Sequence, residues 1–173
     1  MAILTDAVRA FIGTQSAIHE APECVEPGAV RRFAQAIMDE DSIFDHGHDT
    51  YGGPVAPPLF PQMMFKRSFG SPDLLRKNAH NPDYDGASGG TAQTLPPIPD
   101  LQGMGVLNGG LEIEFLRYVR HGEVVRMRSR YDDIEEKQTS KGPIILLQII
   151  SEYFTDAGEV LLRIRQTSIR RPV

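Results

Sequence analysis

Two short acidic segments carry residue types that could do chemistry. Residues 45–49 read Asp-His-Gly-His-Asp, which are metal-ligating types, but neither helical nor strand spacing would bring these side chains together and no cysteine supports them. We therefore predict a solvated loop there and no metal site. Asp39, Glu40 and Asp41 lie at the end of a predicted helix, so that Asp39 is either part of a solvated acidic terminus or a carboxylate available for general acid or base catalysis.

The composition excludes several classes of function. Cys24 is the single cysteine, which rules out an internal disulfide and a cysteine-based zinc site. The net charge is −5, from 18 basic and 23 acidic residues, without a basic stripe and interleaved aromatic residues, so we expect no nucleic-acid partner. No apolar run approaches the roughly 18 residues of a membrane span, and the first residues lack the basic region and cleavage site of a secretory signal. We expect a cytoplasmic protein with no membrane partner.

A predicted helix positions the acidic segments. Pro27 is tolerated in a first helical turn and Glu26 favours its positive end, so a helix is predicted from Glu26 towards residue 44. Apolar residues with helical spacing should form one packed face of it: Val30, Phe33, Ala34, Ile37 and Met38.

Residues 45 to about 106 contain most of the prolines and many of the glycines, which interrupt helices and strands alike. Only Leu59–Phe69 is predicted to be helical there. We expect the remaining insert, about residues 66–106, to be a long irregular segment, a feature that is usually functional or mobile in a compact domain.

From Leu107 onward the periodicity is that of strands. It predicts four consecutive antiparallel strands in a meander, at residues 111–115, 124–131, 144–150 and 160–169. Helices followed by such a sheet give an α+β domain, and 173 residues correspond to one domain, 1–173. Residues 144–150 are apolar on both alternations, so this strand should be central and covered on both faces. Because one helix covers one face, the second face favours an oligomer partner.

Three segments resemble the MaoC-like family of R-specific enoyl-CoA hydratases and acyl dehydratases. They are FAQAIMDEDSIFD at residues 33–45, YGGPVAPPLF at 51–60, and an ending that reads SEYFTDAGEV and then RQTSIR, and the resemblance spans roughly residues 26–170 outside the insert. It implies a hot-dog fold, in which a curved antiparallel sheet wraps a long helix and two such units pair into one continuous sheet. It also implies a thioester of coenzyme A or of acyl carrier protein as substrate.

The resemblance assigns catalytic positions, and this chain fills two of them with unsuitable residues. Catalytic members read A-x-x-G-D-x-N-P-x-H in the first segment, where aspartate and histidine hold the water that adds to an enoyl thioester. Here the glycine position is Met38, the aspartate is Asp39 and the histidine position is Phe44, which cannot carry a proton. In the second segment A-H-G supplies an oxyanion amide from its glycine. The corresponding residue is Pro58, which has no N–H.

The resemblance also implies where the substrate would be held. The expected acyl contacts are Phe44, Tyr51, Pro58, Phe60, Met63, Met64 and Asn108. Four arginines could hold the phosphates of coenzyme A or could be solvated residues on strand faces: Arg163, Arg165, Arg170 and Arg171. The alternative for Met63 and Met64 is a position in the core, where methionine side chains often fill gaps.

These features predict the non-catalytic half of a two-half hydratase, a subunit that shapes the acyl pocket beside a MaoC-like partner with the intact machinery. The reaction would be the reversible addition of water to an enoyl thioester, with no metal or redox cofactor, and the isolated chain would be weak or inactive. Three alternatives stay open: a homo-oligomeric hydratase that uses Asp39, a hot-dog thioesterase, and a non-catalytic acyl-thioester binding module. The long insert further favours a bulky acyl group.

Overall fold

The computed structural model describes residues 3–65, 74–82 and 94–172. The helices within those residues are α1 (Asp6–Arg9), α2 (Pro27–Ala36), α3 (Phe60–Met63) and α4 (Leu74–Asn78). The strands are β1 (His19–Glu20), β2 (Gly105–Phe115), β3 (Val125–Thr139), β4 (Gly142–Thr155) and β5 (Val160–Arg171). They form one antiparallel sheet in the order β1-β3-β4-β5-β2. The predicted α+β class is confirmed.

The long strands form where the sequence alternates. In β3, Val125, Met127, Ser129 and Tyr131 are buried, and the arginines between them face the other side of the sheet. β4 lies between β3 and β5, which confirms the predicted central position of residues 144–150. The predicted meander is wrong in one respect: β2 pairs with β5 rather than with β3, because the connection after β2 carries the chain across the sheet.

The two edges of the sheet differ. On one side, the chain around β1 covers β3: the Gly13 amide donates to the Tyr131 carbonyl (2.8 Å), the Tyr131 amide to the Thr14 carbonyl (3.0 Å) and the Ser16 amide to the Ser129 carbonyl (2.8 Å). On the other side, no strand among the described residues pairs with the outer edge of β2. Exposed apolar side chains line this strand: Val106, Leu107, Leu111, Ile113 and Phe115.

The inner face of the sheet is covered by two apolar clusters. In the first, side chains of α2 and α3, among them Val30, Ala34 and Phe60, pack with Tyr153 and Leu162 of the sheet. In the second, α1 and residues 95–101 pack over the far end of the sheet. The sheet residues of this second cluster are Tyr131, Ile134, Ile145, Leu147 and Ile149.

The outer face carries arginines paired with carboxylates. Arg163 donates to Glu152 (2.8 Å) and to Glu114 (2.9 Å), and Arg128 donates to the same Glu152 (2.9 Å). Ile150 of β4 is buried between arginines of the neighbouring strands, whose alkyl stems cover it. At Ile150, this chain's own arginines thus supply cover on the outer face, whereas Ile144 and Leu146 on the same face are half-buried.

The helix α2 is shorter than predicted. It begins after Glu26, as expected, but it ends at Ala36 instead of continuing towards residue 44. Ile37 and Met38, which the periodicity placed on the packed face, are exposed, and Met38 is 87% exposed. The helical period therefore describes the core only as far as Ala34.

A Schellman C-cap ends α2. The Met38 amide donates to the Gln35 carbonyl (3.2 Å) and the Asp39 amide donates to the Ala34 carbonyl (3.0 Å), which are the two hydrogen bonds of that motif. Met38 has φ +57°, the left-handed conformation that the motif requires and that glycine adopts most easily. The resemblance places the family's glycine at this same residue, and that glycine position is thus the cap.

The second predicted helix, Leu59–Phe69, is a single turn where it is described. α3 ends at Met63, and residues 66–69 lie outside the described part of the chain. Pro61 lies in its first turn, where a missing N–H costs no helical hydrogen bond. Of the predicted insert, residues 74–82 and 94–106 are described, and they contain α4, a short 3₁₀ turn at Pro99–Leu101 and the start of β2.

Candidate functional site

A cleft of about 990 Å³ opens at the carboxyl end of α2. Its walls are the first turn of α2 and residues 38–46, which follow the helix, together with Pro54 and His121. Asp39 lines this cleft and is exposed. The predicted catalytic aspartate therefore borders a cavity of the size that small-molecule sites have.

Backbone turns hold Asp39 in place. The C-cap of α2 redirects the chain at Met38, and the Asp39 carboxylate then accepts a hydrogen bond from the Asp41 amide (3.2 Å). The Asp41 carboxylate accepts from the Ile43 amide (3.1 Å) and so caps the 3₁₀ turn Ser42–Phe44. Within the described residues, no cationic side chain forms an ion pair with Asp39.

Phe44, which the resemblance places at the family's histidine position, has its ring in the core. It is 7% exposed and packs in the apolar cluster beneath α2, where it also forms part of the cleft wall. The Ile43 carbonyl accepts from the Val55 amide (3.1 Å), which joins this turn to the chain before α3. The site therefore has an apolar wall where catalytic members would have a proton carrier.

The chain before α3 supplies no amide at the oxyanion position. The Ala56 amide donates to the Val119 carbonyl (2.9 Å), and the two residues that follow, Pro57 and Pro58, have no N–H. The Pro57 carbonyl accepts from the Phe60 amide (2.9 Å), which starts the α3 turn. An enolate at this position would find no donor from Pro58.

An aromatic cluster contains Tyr51 and a residue that the sequence analysis missed, Tyr118. The ring centroids of Tyr51 and Tyr118 are 5.0 Å apart and those of Phe115 and Tyr118 are 4.8 Å apart, both edge to face. Burial raises the pKa of the Tyr118 hydroxyl, and the charges of Tyr51, Asp41 and Asp39 raise it further. Tyr118 therefore stays protonated at neutral pH, as a hydrogen-bond donor within electrostatic range of Asp39.

The predicted acyl contacts on α3 divide between core and surface. Phe60 is buried and packs edge to face on Phe33, with ring centroids 5.6 Å apart. Met64 packs against the same apolar cluster, whereas Met63 is exposed. In the described part of the chain, none of these three side chains in and just after α3 lines the cleft that contains Asp39.

The remaining predicted residues lie elsewhere. Asn108 is exposed on the edge strand β2, where its side-chain oxygen accepts from the Gly110 amide (3.1 Å) at a β-bulge. Arg163 and Arg165 lie on the outer face of the sheet and are paired with carboxylates; Arg165 is 3.3 Å from Asp132. The structure does not bring these three residues together with Asp39.

Two histidines line the cleft, and no sequence motif had grouped them with Asp39. His46 is exposed, 3.8 Å from Asp45 of the predicted solvated loop. His121 is half-buried, and its Nε2 is buried without a hydrogen-bond partner among the described residues. No group of three or more histidine, cysteine or acidic side chains that could hold a metal ion occurs in the residues described.

Comparison with known proteins agrees with this architecture. A family model described as "FAS1-like, dehydratase domain region" matches residues 10–163. No curated protein sequence matches the chain. Among solved structures, a chain of the ChsH1-ChsH2 complex from Mycobacterium tuberculosis is 20% identical, with a TM-score of 0.68 over 92% of this chain and 85% of that one.

Two further solved structures are similar. The MaoC-like dehydratase from Rhodospirillum rubrum is 18% identical, with a TM-score of 0.56 over 92% of both chains. A chain of the HadBC (3R-hydroxyacyl-ACP dehydratase) complex from Mycobacterium tuberculosis is 16% identical, with a TM-score of 0.55 over 92% of this chain and 98% of that one. These likenesses confirm the predicted hot-dog fold. In the residues that are described, no helix is long and apolar enough to cross a membrane.

Proposed function

Because this chain belongs to the family of FAS1-like dehydratase domain regions, with the hot-dog fold of MaoC-like dehydratases, we propose that it is one subunit of an enoyl-CoA hydratase or 3-hydroxyacyl-CoA dehydratase. In this proposal it forms part of the acyl pocket beside a second MaoC-like hot-dog chain, and that partner carries out the chemistry. The substrate is an acyl thioester of coenzyme A or of acyl carrier protein.

The observation that carries the proposal is the pairing of an exposed Asp39 with a buried Phe44 in one turn. Hydration forms a C–O bond at the β-carbon and a C–H bond at the α-carbon, while one O–H bond of water and the π bond of the enoyl group break. The proton must be removed from water and delivered to carbon, which a carboxylate and an imidazole do together. Phe44 offers no proton, and Pro58 offers no amide to the enolate oxygen.

The open edge of β2 supports a hot-dog partner. Eleven residues, Gly105–Phe115, form an edge strand whose backbone on one side pairs with no strand in the described part of the chain, and its apolar side chains are exposed on both faces. Long apolar edges of this kind are templates for pairing with another strand. Two of the similar solved structures are named as complexes, ChsH1-ChsH2 and HadBC, which is consistent with a two-chain assembly.

A bulky acyl group is part of this proposal. The cleft of about 990 Å³ is at the upper end of the range for small-molecule sites. Residues 66–73 and 83–93 of the insert, whose length led the sequence analysis to expect a bulky acyl group, lie outside the described part. With the partner present, catalytic efficiency should rise several-fold per added carbon, since each buried methylene contributes about 0.8 kcal/mol. A profile that peaks at four carbons would contradict the bulky-substrate assignment.

The decisive experiment is purification of the tagged chain from its native source, followed by identification of bound proteins and an enoyl-CoA hydration assay. We expect a second MaoC-like chain, activity in the complex, and little or none in the isolated protein. Robust turnover of crotonyl-CoA by the homogeneous chain would contradict the proposal. Asp39→Asn would then decide whether the chain is a homo-oligomeric hydratase. In that case the rate of Asp39→Asn should fall roughly 10²- to 10⁴-fold, and Asp45→Asn, the matched cleft control, should keep the wild-type rate.

A further inference from the structure

A second cavity, of about 630 Å³, lies at the opposite end of the inner face and shares no lining residue with the Asp39 cleft. Residues 95–104 form one wall and the strands β3, β4 and β5 form the other. The Tyr131 hydroxyl donates to the Pro96 carbonyl (2.9 Å), which fixes the wall to the sheet. Apolar side chains dominate the lining: Leu95, Ile98, Leu101, Met104, Leu147 and Ile149.

Arg170 is the one charged residue among the described residues that line this cavity, and Gln102 and Tyr131 are the other polar side chains there. In the sheet it pairs with Ile145 of β4 and Val106 of β2, and Ile145 is fully buried in the inner cluster. Since side chains of one strand alternate between faces, Arg170 is on the same side of β5 as the buried Ser168 and Ile164. Arg170 therefore lies on the inner face of the sheet, beside the apolar side chains of the second cluster.

Arg170, unlike Arg163 and Arg165 of the same strand, has no carboxylate partner among the described residues. Arg163 and Arg165, on the outer face, are both paired with acidic side chains. The Nε of Arg170 is buried and has no hydrogen-bond partner within residues 3–65, 74–82 and 94–172, and none of the described residues that line the cavity is acidic. A buried donor of a charged group without an acceptor is costly, so this arrangement is suited to an acceptor that arrives from outside.

We propose that this cavity is a binding site for an apolar carboxylate, with its carboxylate on Arg170 and its hydrocarbon part against Leu95, Ile98 and Leu147. A guanidinium binds a carboxylate through two parallel hydrogen bonds, and this geometry supplies the acceptor that Nε lacks. The apolar walls favour a hydrocarbon tail and disfavour the hydrated phosphates of coenzyme A. The site is separate from the Asp39 cleft and does not depend on the hydratase proposal.

The test is binding of dodecanoate, dodecanol and coenzyme A to the purified full-length chain by calorimetry, with no thioester present. We expect dodecanoate to bind at least tenfold more tightly than dodecanol, in line with charge-assisted hydrogen bonds, and coenzyme A not to compete. Arg170→Met should abolish the preference for the carboxylate while leaving dodecanol binding intact. Arg171→Met, an exposed neighbour at the end of the same strand, is the matched control and should bind like wild type.

Thermal unfolding without ligand gives a second readout of the same site. Because the buried Nε of Arg170 has no acceptor among the described residues, we expect an unchanged or higher midpoint for Arg170→Met, since the substitution removes the cost of an unsatisfied buried donor. Equal affinity of wild type for dodecanoate and dodecanol, absence of dodecanoate binding, or displacement by coenzyme A would overturn the proposal. So would a clear loss of stability in Arg170→Met, because the guanidinium would then already be satisfied by the protein.

Discussion

Replacement of Met38 by glycine should stabilise the protein. Met38 holds the left-handed position of the α2 C-cap, with φ +57°, a conformation that costs a residue with a Cβ roughly 1–2 kcal/mol. The side chain is 87% exposed, so its removal sacrifices little burial. Glycine brings a larger loss of backbone entropy on folding, worth roughly 0.5–1 kcal/mol. The balance is a gain of about 0.5–1 kcal/mol in the free energy of unfolding.

Met38→Ala is the matched control, because alanine removes the exposed side chain and keeps the Cβ that causes the strain. Urea unfolding should give a higher midpoint for Met38→Gly with an unchanged slope, and Met38→Ala should stay close to wild type. A gain of about 1 kcal/mol corresponds to a rise of roughly 2–4 °C in Tm for a chain of this length. If Met38→Gly is no more stable than Met38→Ala, the C-cap is not strained and the reasoning is wrong.

Three other perturbations test the site and the sheet. The Arg163 hydrogen bond, helped by Arg128, holds the pKa of the Glu152 carboxyl below its ordinary value, although burial acts in the opposite direction. The ionised Glu152 therefore stabilises the folded state above about pH 4.5, and this contribution is lost as the pH falls through the lowered pKa of the folded protein. Urea unfolding at pH values from roughly 6 down to 3 should therefore show wild type losing its advantage over Glu152→Gln on acidification; a constant difference would contradict the linkage. Ile113→Lys should abolish association through β2 in sedimentation experiments, since a lysine protects a strand edge from pairing. Ile18→Lys, the same substitution at an exposed residue near β1, should leave association intact. Phe44→His should cost about 1–3 kcal/mol of stability by burying a polar ring, and should leave the isolated chain without hydratase activity; a rescued rate in an enoyl-CoA assay would show that the imidazole alone was missing.

The sheet was largely predictable because its residues alternate. Val125, Met127, Ser129 and Tyr131 are buried at alternate positions, and this alternation is visible in the sequence without knowledge of the elements that pack on the sheet. The place of β2 was not predictable from periodicity, since an alternating strand does not specify which neighbour it pairs with. The end of α2 was missed because Met38 gives no sign of a left-handed cap, which is usually marked by glycine or asparagine.

The candidate site was predictable only as far as its motif extends. The positions of Asp39, Phe44 and Pro58 followed from the resemblance, and the structure shows how the chain turns around them. Tyr118 was missed because it is a single aromatic residue in a connection, and only the fold brings it beside Tyr51. The face of the sheet on which Arg170 lies could be assigned only from the strand register, since the sequence does not show whether an arginine faces solvent or the interior.

The unequal edges of the sheet set a limit on stoichiometry. Residues 13–16 hydrogen-bond to the backbone of Ser129 and Tyr131 and β1 pairs with Arg126 and Met127, so the first half of the β3 edge is occupied, while β2 keeps its outer backbone groups free of any strand in the described part of the chain. The sheet of one chain can therefore be extended by strand pairing through β2. If the partner chain has the same two edges, the β2 strands are used up in the joined sheet and only β1 edges remain at its two ends. Growth then stops at two units, and the same apolar strand that makes association possible cannot seed an open-ended fibre.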